Sequence, residues 1–301
     1  MKNLPVVLLL VCAAVVLVCS GAIGMVAWIS GIYRPPPEPV GAVLVYEVAP
    51  NSKSAAGPVK VQEVIEAAEK RVNPRGAQRA QIEQIDGSRI EVAVHGDDPE
   101  LVRRIEWLLA SPGTLEMRVL ASRRADKDLV DRAERAEDDP LKGPDGQWEA
   151  RWVPVYPAAE GDLREAADRA EAILRQRSGT LQVLVVRDQV DVDESYLRRA
   201  VPSVDRRGRP GLTLHVNFVS LQQFHALIDP HRSRRLVRRL GIIVDGRLYA
   251  APPVDREMAD WVQITGDFTQ DELADAAAVL EGGPLPAVLR EVGQTPGGGT
   301  R

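Results

Sequence analysis

The sequence is poor in the residues that commit a chain to redox, metal or nucleotide chemistry. Of its 301 residues only two are cysteine and four are histidine. Cys12 and Cys19 both lie in the N-terminal apolar run. The rest of the chain therefore forms no internal disulfide and no cysteine metal site, and cysteine usage does not report the compartment. Aromatic residues make up only 4%, so aliphatic side chains and alanine must fill the cores. No phosphate loop, nucleophile elbow, Gly-x-Gly-x-x-Gly or His-Glu-x-x-His occurs. Nothing in the sequence supports an enzyme, and no cofactor or metal is expected. The net charge of −5 is mild and mixed in sign, so neither nucleic-acid binding nor general disorder follows from it.

Charge itself is missing from Asn3 to Tyr33, between Lys2 and Arg34. A bilayer core needs about 20 apolar residues as a helix, and this run exceeds that. A cleaved signal peptide is the rival reading, with Ser20-Gly21-Ala22 as a cleavage site. Apolar residues nevertheless continue through Ile23, Met25, Val26, Trp28 and Ile32, so residues 1–34 are read as an uncleaved anchor. Lys2 and the amino terminus favour the cytoplasmic side, and Arg34 opposes. No later segment is long and apolar enough to span, which places the bulk of the chain outside the cytoplasm. The expected location is the inner membrane, single-pass.

Residues 35–40 are a proline-rich spacer. Beyond it, Ala42 to Val48 is a strand candidate, and Val61, Val64, Ile65, Ala68 and Val72 recur at helical spacing. Gln81–Ile85 and Arg89–Val94 flank a turn at Asp86-Gly87. Asp98 caps a helix with Pro99 at its first position. Leu115, Met117 and Val119 alternate in a further strand. The order strand, helix, strand, strand, helix, strand is that of a split βαβ, or ferredoxin-like, base over 41–121. Residues 122–150 are a charged linker read as a helix and an exposed loop. A second α/β region, 151–289, forms a head and returns to the base. Within it a helix carries Leu163 to Leu174 and stops near Gly179. Leu181–Val186 and Leu212–Phe218 are strands, and Asp245-Gly246 is a tight hairpin turn. Thr269 and Glu272 form a capping box. Residues 290–301 read as a disordered tail. The fold class is α+β.

The segment 61–94, with Arg71-Val72-Asn73-Pro74 at its centre, resembles the SecD family of protein-export subunits in its first periplasmic domain. RLGIIVDGRLYAAPPV (239–254) resembles the family's strand pair around Asp245 and Gly246. QITGDFTQDEL (263–273) resembles its signature carrying Gly266, Phe268 and Thr269. LEGGPLPAVL (280–289) resembles its closing motif. The resemblance implies a base carrying a mobile head. It implies as partners the protein-export channel, a SecF-like subunit and unfolded preprotein, with the N-terminal helix in the membrane. Hinges are expected at Ala121 and Ser122 and at Met258 and Ala259. The family's further membrane helices carry its proton-relay carboxylate. This chain stops soon after Pro286 and has no ionisable group inside its apolar run, so it is expected to assist export by binding rather than as a complete proton-driven motor. A cell-envelope scaffold unrelated to export is the alternative, since fold does not imply function.

Three charged groupings have competing readings. The run containing Arg232, Arg234, Arg235, Arg238 and Arg239 is a candidate basic patch for phosphate head groups or an acidic partner. It is equally a solvated helix face with Leu236, Val237 and Leu240 inward, which is the favoured reading. Asp188, Asp191, Asp193 and Glu194 lack the spacing of a calcium loop and read as turn carboxylates. His215, His225 and His231 read as ordinary surface histidines rather than metal ligands.

Overall fold

Alternation decides the first sheet. The structure is a computed structural model and describes residues 40–50, 60–136, 139–188, 190–205, 207–232, 236–255 and 258–296. In β1 (Val40–Pro50) the residues Ala42, Leu44, Tyr46 and Val48 are buried and their neighbours are not. Helix α1 (Val61–Val72) presents Val64, Ile65, Ala68 and Val72 to them. Asn73 ends that helix and fastens the turn to the next strand. Its Oδ1 accepts from Arg79 N at 2.8 Å, and its Nδ2 donates to Ala80 O at 2.7 Å. Strands β2 (Ala80–Gln84) and β3 (Arg89–His95) follow as a hairpin. Helix α2 (Pro99–Ala110) is capped by Asp98, whose side chain accepts from Glu100 N at 2.9 Å.

The chain then leaves this layer. Strand β4 (Leu115–Val119) alternates as the sequence suggests, but it does not close the first sheet. It pairs with a strand far downstream. Helix α3 (Lys127–Arg135) and the strands β5 (Leu141–Lys142) and β6 (Trp148–Pro154) come next. Helix α4 (Glu160–Asp168) is shorter than its apolar spacing predicts. Ala170 takes a left-handed φ of 59°, and Ser178 and Gly179, at 50° and 78°, make a hairpin turn. Residues expected in the helix therefore run as β7 (Leu174–Arg177), paired with β8 (Thr180–Val186). The remaining head elements are β9 (Val192–Asp193), β10 (Leu197–Val204), β11 (Pro210–Val216), α5 (Leu221–Ile228), β12 (Leu240–Val244), β13 (Arg247–Ala250) and β14 (Trp261–Thr265). Helix α6 (Gln270–Gly282) starts with the expected capping box: Thr269 and Glu272 bond reciprocally. The last strand is β15 (Ala287–Pro296).

Strand β15 corrects two expectations. It takes the place expected of Leu115–Val119, pairing antiparallel with β1 from Ala42↔Pro296 to Pro50↔Ala287. It also puts residues through Pro296 into a strand that had read as tail. The base sheet has the order β15-β1-β3-β2, all antiparallel, so its sixth element arrives only after the whole head has been traversed. The head holds three more sheets, ordered β13-β12-β4-β9, β5-β6-β8-β7 and β10-β11-β14. Its main core runs from Leu115 to Leu280, while the base core comprises 42–109 with Leu285 and Ala287. Leu108 of α2 meets Ala278 and Val279 of α6 in a small cluster between the two. No helix among the described residues is long and apolar enough to cross a membrane, and the run at 3–33 lies outside them.

Candidate functional site

Strand β14 is an edge. Within the described residues it pairs only with β11, from Gly211↔Thr265 to His215↔Trp261. One bond beyond that ladder sets its phase: Val216 N donates to Asp260 O at 2.8 Å. In an antiparallel pair, hydrogen-bonded and non-bonded positions alternate. Val262 and Ile264 therefore bond to β11, and Trp261, Gln263 and Thr265 turn their N–H and C=O groups away from it. Val262 and Ile264 are buried in the head core. The free edge opens into a cleft of about 400 Å³, lined on the far side by Ala250 to Pro253 and Met258, and closed by α4 and the turn at 205–209.

Two of the arginines that line this cleft, Arg209 and Arg239, are paired. Arg209 Nε lies 2.7 Å from Asp205 and its outer nitrogens lie 3.3 and 3.4 Å from Asp162. Hydrogen bonds to Asp205 and then Asp162 hold that guanidinium charged well above its ordinary range. Arg239 pairs with Glu171 at 2.7 Å and donates to Ala251 O at 2.7 Å. The cleft thus offers an unpaired backbone edge and apolar surface from Trp261, Met258, Pro252 and Pro253, with little net charge.

Gly266 follows the strand and could carry no larger residue. A Cβ there would lie 2.4 Å from Ala158 O and 2.9 Å from the Phe268 ring. That close approach seats Phe268 in an aromatic stack with Tyr156 and Tyr249, at centroid distances of 5.5 and 5.8 Å. Tyr156 donates its hydroxyl to Glu272 at 2.9 Å, which ties the stack to the start of α6. The motif residues Gly266, Phe268 and Thr269 are therefore the floor that holds β14 against the head. Asp245 and Gly246 lie elsewhere, at the junction with the base. They form the expected tight turn, with φ of 49° and 74°, but Asp245 does more: its Oδ1 accepts from Gly113 N at 2.7 Å and Thr114 N at 2.8 Å.

Buried phenols, Tyr156 and Tyr249 here and Tyr46 in the base sheet, are expected to make stability pH-dependent. Burial first, and then the bond to Glu272, raises Tyr156 to about 12. Burial raises Tyr249 and Tyr46 further. An unfolded tyrosine ionises near pH 10, so the unfolded chain loses these protons first, and stability falls as pH rises from about 10 through the folded values. Arg71, lowered to about 10 by burial, and Arg175, also lowered by burial, act in the opposite sense. They stand against four phenols once Tyr196, likewise raised by burial, is included. The urea midpoint should stay level to pH 9.5 and drop steadily by pH 11.5, within about the window those values define. A flat profile over that window would show the phenols to be solvated.

The other sequence candidates lie in structural roles. Ala121 and Ser122 are fully buried, with Ala121 N donating to Leu184 O at 2.9 Å. Met258 is buried, and Ala259 O lies 2.8 Å from His225 Nε2. All four lie within the head, Ala259 at its surface, and not where the chain crosses between base and head. The chain passes between base and head at 111–114 and 283–286, because β4 belongs to the head and α6 precedes the return. The described residues of the basic patch are engaged with the head. Arg238 is buried, 2.8 Å from Asp126 and 3.1 Å from Leu120 O. Arg239 is bound as described, and Arg232 bonds to Met258 O and Asp229. Arg234 and Arg235 lie outside the described residues. Leu240 sits in β12, so the favoured helix-face reading is also corrected. Of the acidic group, Asp188 accepts from Val119 N, Asp191 pairs with Arg118, Asp193 bonds Ser195, and Glu194 accepts from Leu115 N. Among the described residues no group of side chains is arranged to hold a metal ion.

What the sequence reading missed is Arg71. It is fully buried, and its guanidinium donates to Leu108 O at 3.1 Å, to Pro112 O at 2.9 Å, and also to Ser111 O and Gly283 O. Its place in the Arg-Val-Asn-Pro turn was the only signal.

Comparison with known proteins places this arrangement. Residues 171–287 match the model of the SecDF P1 head subdomain. Protein translocase subunit SecD of Aquifex aeolicus is 30% identical over 118 residues, covering 39% of this chain and 23% of the relative. SecD of Magnetococcus marinus is 27% identical over 154 residues, covering 46% and 29%. The chain spans about a quarter of the length of these curated relatives. A crystal structure of SecDF in a super-membrane-facing form covers 87% of this chain and 31% of its own, with a TM-score of 0.52 at 18% identity. A second structure, of SecDF as a membrane component that enhances protein export, covers 83% and 98%, with a TM-score of 0.51 at 18% identity. At that identity the two structures speak for the fold; with the matched head and the SecD relatives they support a SecD-family P1 domain.

Proposed function

We propose that this P1 domain binds an extended, unfolded polypeptide by adding it as a strand to the free edge of β14. The observation that carries the reading is that edge, opening into a cleft whose lining balances acidic and basic residues, with Arg209 and Arg239 paired. Strand addition draws affinity from main-chain bonds and asks little of sequence. It suits a client that exposes apolar side chains and unpaired backbone, as an emerging preprotein does. The domain acts by binding and not by catalysis, as an accessory to protein export. The four-stranded sheet and its two helices serve as the ferredoxin-like base. The apolar run at 3–33 holds the base to the inner membrane, with the described domain on the periplasmic side beside the export channel and a SecF-like subunit. The family relationship of the head supports this placement.

Thr265→Pro tests the edge. The Thr265 N–H faces the cleft and not β11, and proline is tolerated at such an edge position. Folding stability should hold while one donor is lost and the groove is narrowed. The purified full chain should bind a reduced, unfolded secretory protein and not its folded form. Thr265→Pro should weaken that binding by about tenfold, the value of roughly one or two hydrogen bonds with their local packing. Equal binding of folded and unfolded protein, or an unaffected variant, would sink the proposal. Failure of the chain to co-purify with the export channel while binding persists would favour a cell-envelope scaffold.

A further inference from the structure

Two cores that barely merge need something to set their relative orientation. The base core and the head core are separate clusters, bridged by Leu108, Ala278 and Val279. Few polar contacts supplement that bridge: Arg104 of α2 bonds Asp275 and Asp271 of α6. The remaining links are the packing of α1 against α6 and the two crossovers, outbound at 111–114 and inbound at 283–286.

Arg71 grips both. It belongs to α1 of the base, and its two terminal nitrogens collect four carbonyl oxygens. Leu108 and Ser111 end α2, where carbonyls lack helix partners and a cation is favoured. Pro112 is on the outbound crossover, and Gly283 begins the inbound one. No carboxylate pairs directly with this guanidinium among the described residues. Burying an arginine costs free energy, and burial lowers its proton affinity, with Asp245 opposing. A hydrophobic side chain would fill the same space without that cost. What it could not do is bond backbone from two chain segments at once. Only the planar fork of arginine reaches several carbonyls in fixed directions.

Glycine makes the approach possible. A Cβ at Gly113 would lie 2.1 Å from Arg71 Nη2, and one at Gly282 would lie 2.4 Å from Arg71 Cγ. From the head side, Asp245 holds the next two amides of the same outbound crossover, Gly113 N and Thr114 N. Base and head thus each hold adjoining backbone of one short strap, with a cation on its carbonyls and an anion on its amides.

We infer that Arg71 is a clasp that fixes the orientation of the head on the base by holding both crossovers at once. The role is one of positioning and is independent of what the β14 cleft takes.

Distance measurement tests it on the full chain with Cys12→Ser and Cys19→Ser. Spin labels go on exposed positions of the base and head, at Ile85→Cys and Phe218→Cys. In this background one narrow distance distribution is expected. Arg71→Lys keeps the charge but cannot span four carbonyls. It should broaden the distribution and add a second population at temperatures well below its unfolding midpoint. A lowered midpoint with an unchanged distribution would overturn the clasp and leave Arg71 a staple of the base. Should Arg71→Lys fail to fold, Asp245→Ala loosens the same strap from the head side and is read in the same way: broadening supports the inference, and an unchanged distribution refutes it.

Discussion

Gly113→Ala should cost about 2–5 kcal/mol of unfolding free energy, from left-handed strain and from forced repacking together. Gly113 has a φ of +81°, where an L side chain is strained by about 1–2 kcal/mol. The larger part comes from what the new methyl meets. It would lie 2.1 Å from Arg71 Nη2 and 2.7 Å from Gly283 O. The first atom ends a side chain whose bonds to Ser111, Pro112 and Gly283 leave it nowhere to go, and the second is backbone. Gly208→Ala is the control. Its φ is +77° and nothing lies within 4 Å of the added methyl, so it should carry the strain alone, about 1–2 kcal/mol. Urea unfolding of both variants separates the two contributions. Equal losses would mean that the crossover yields, and that the junction of base and head is looser than its geometry.

Several elements of base and head were legible because their signals are local. Asp98 with Pro99, the buried alternation of Ile90, Val92 and Val94, and the reciprocal Thr269–Glu272 cap each depend on a few neighbouring residues. The closing strand was not. Leu115, Met117 and Val119 carry a clear period of two, and the strand they predict is real. A period reports that one face is buried but not which sheet buries it. The true sixth element, β15, has exposed Val288 and Val292 and a register shift opposite Val45 and Tyr46. At an edge over a half-open sheet, little apolar alternation is required of it. Helix α4 failed for a different reason. Ile173 and Leu174 continue a helical spacing, but the Ser178-Gly179 turn folds that stretch into a hairpin. Of the candidate cleft, the family motif at 263–273 covers part of β14 and Phe268 of its aromatic floor, but the residues themselves predict no strand there. The free edge itself depends on which partner β11 chooses, which no local pattern contains.

The arginine run is where sequence and structure part most, and it gives the second large effect. Asp126→Ala should lower the unfolding free energy by about 3–5 kcal/mol, the cost of stranding a buried charge. Arg238 is only 7% exposed at its side chain and lies 2.8 Å from Asp126 Oδ2. The same oxygen accepts from Ser122 N at 2.9 Å, so its loss also unfastens the turn ahead of α3. A run of arginines at consecutive positions reads as solvated because buried arginine needs a partner, and Asp126 lies far away in sequence. Arg238→Leu should be milder. It removes the cation that burial penalises, while the Asp126 carboxylate keeps its bond to Ser122 N and part of its solvent contact. The double variant Asp126→Ala, Arg238→Leu should then recover part of the stability that Asp126→Ala loses, which a surface pair would not do. Salt gives the second discrimination. A solvated patch would lose at most about 1 kcal/mol and would respond to ionic strength. The loss at Asp126 should be nearly the same in low and high salt, because the pair is shielded from counterions. Urea unfolding of the three variants at both salt concentrations decides between them. A small, salt-sensitive loss for Asp126→Ala would return Arg238 to the surface and reopen its use as a docking charge.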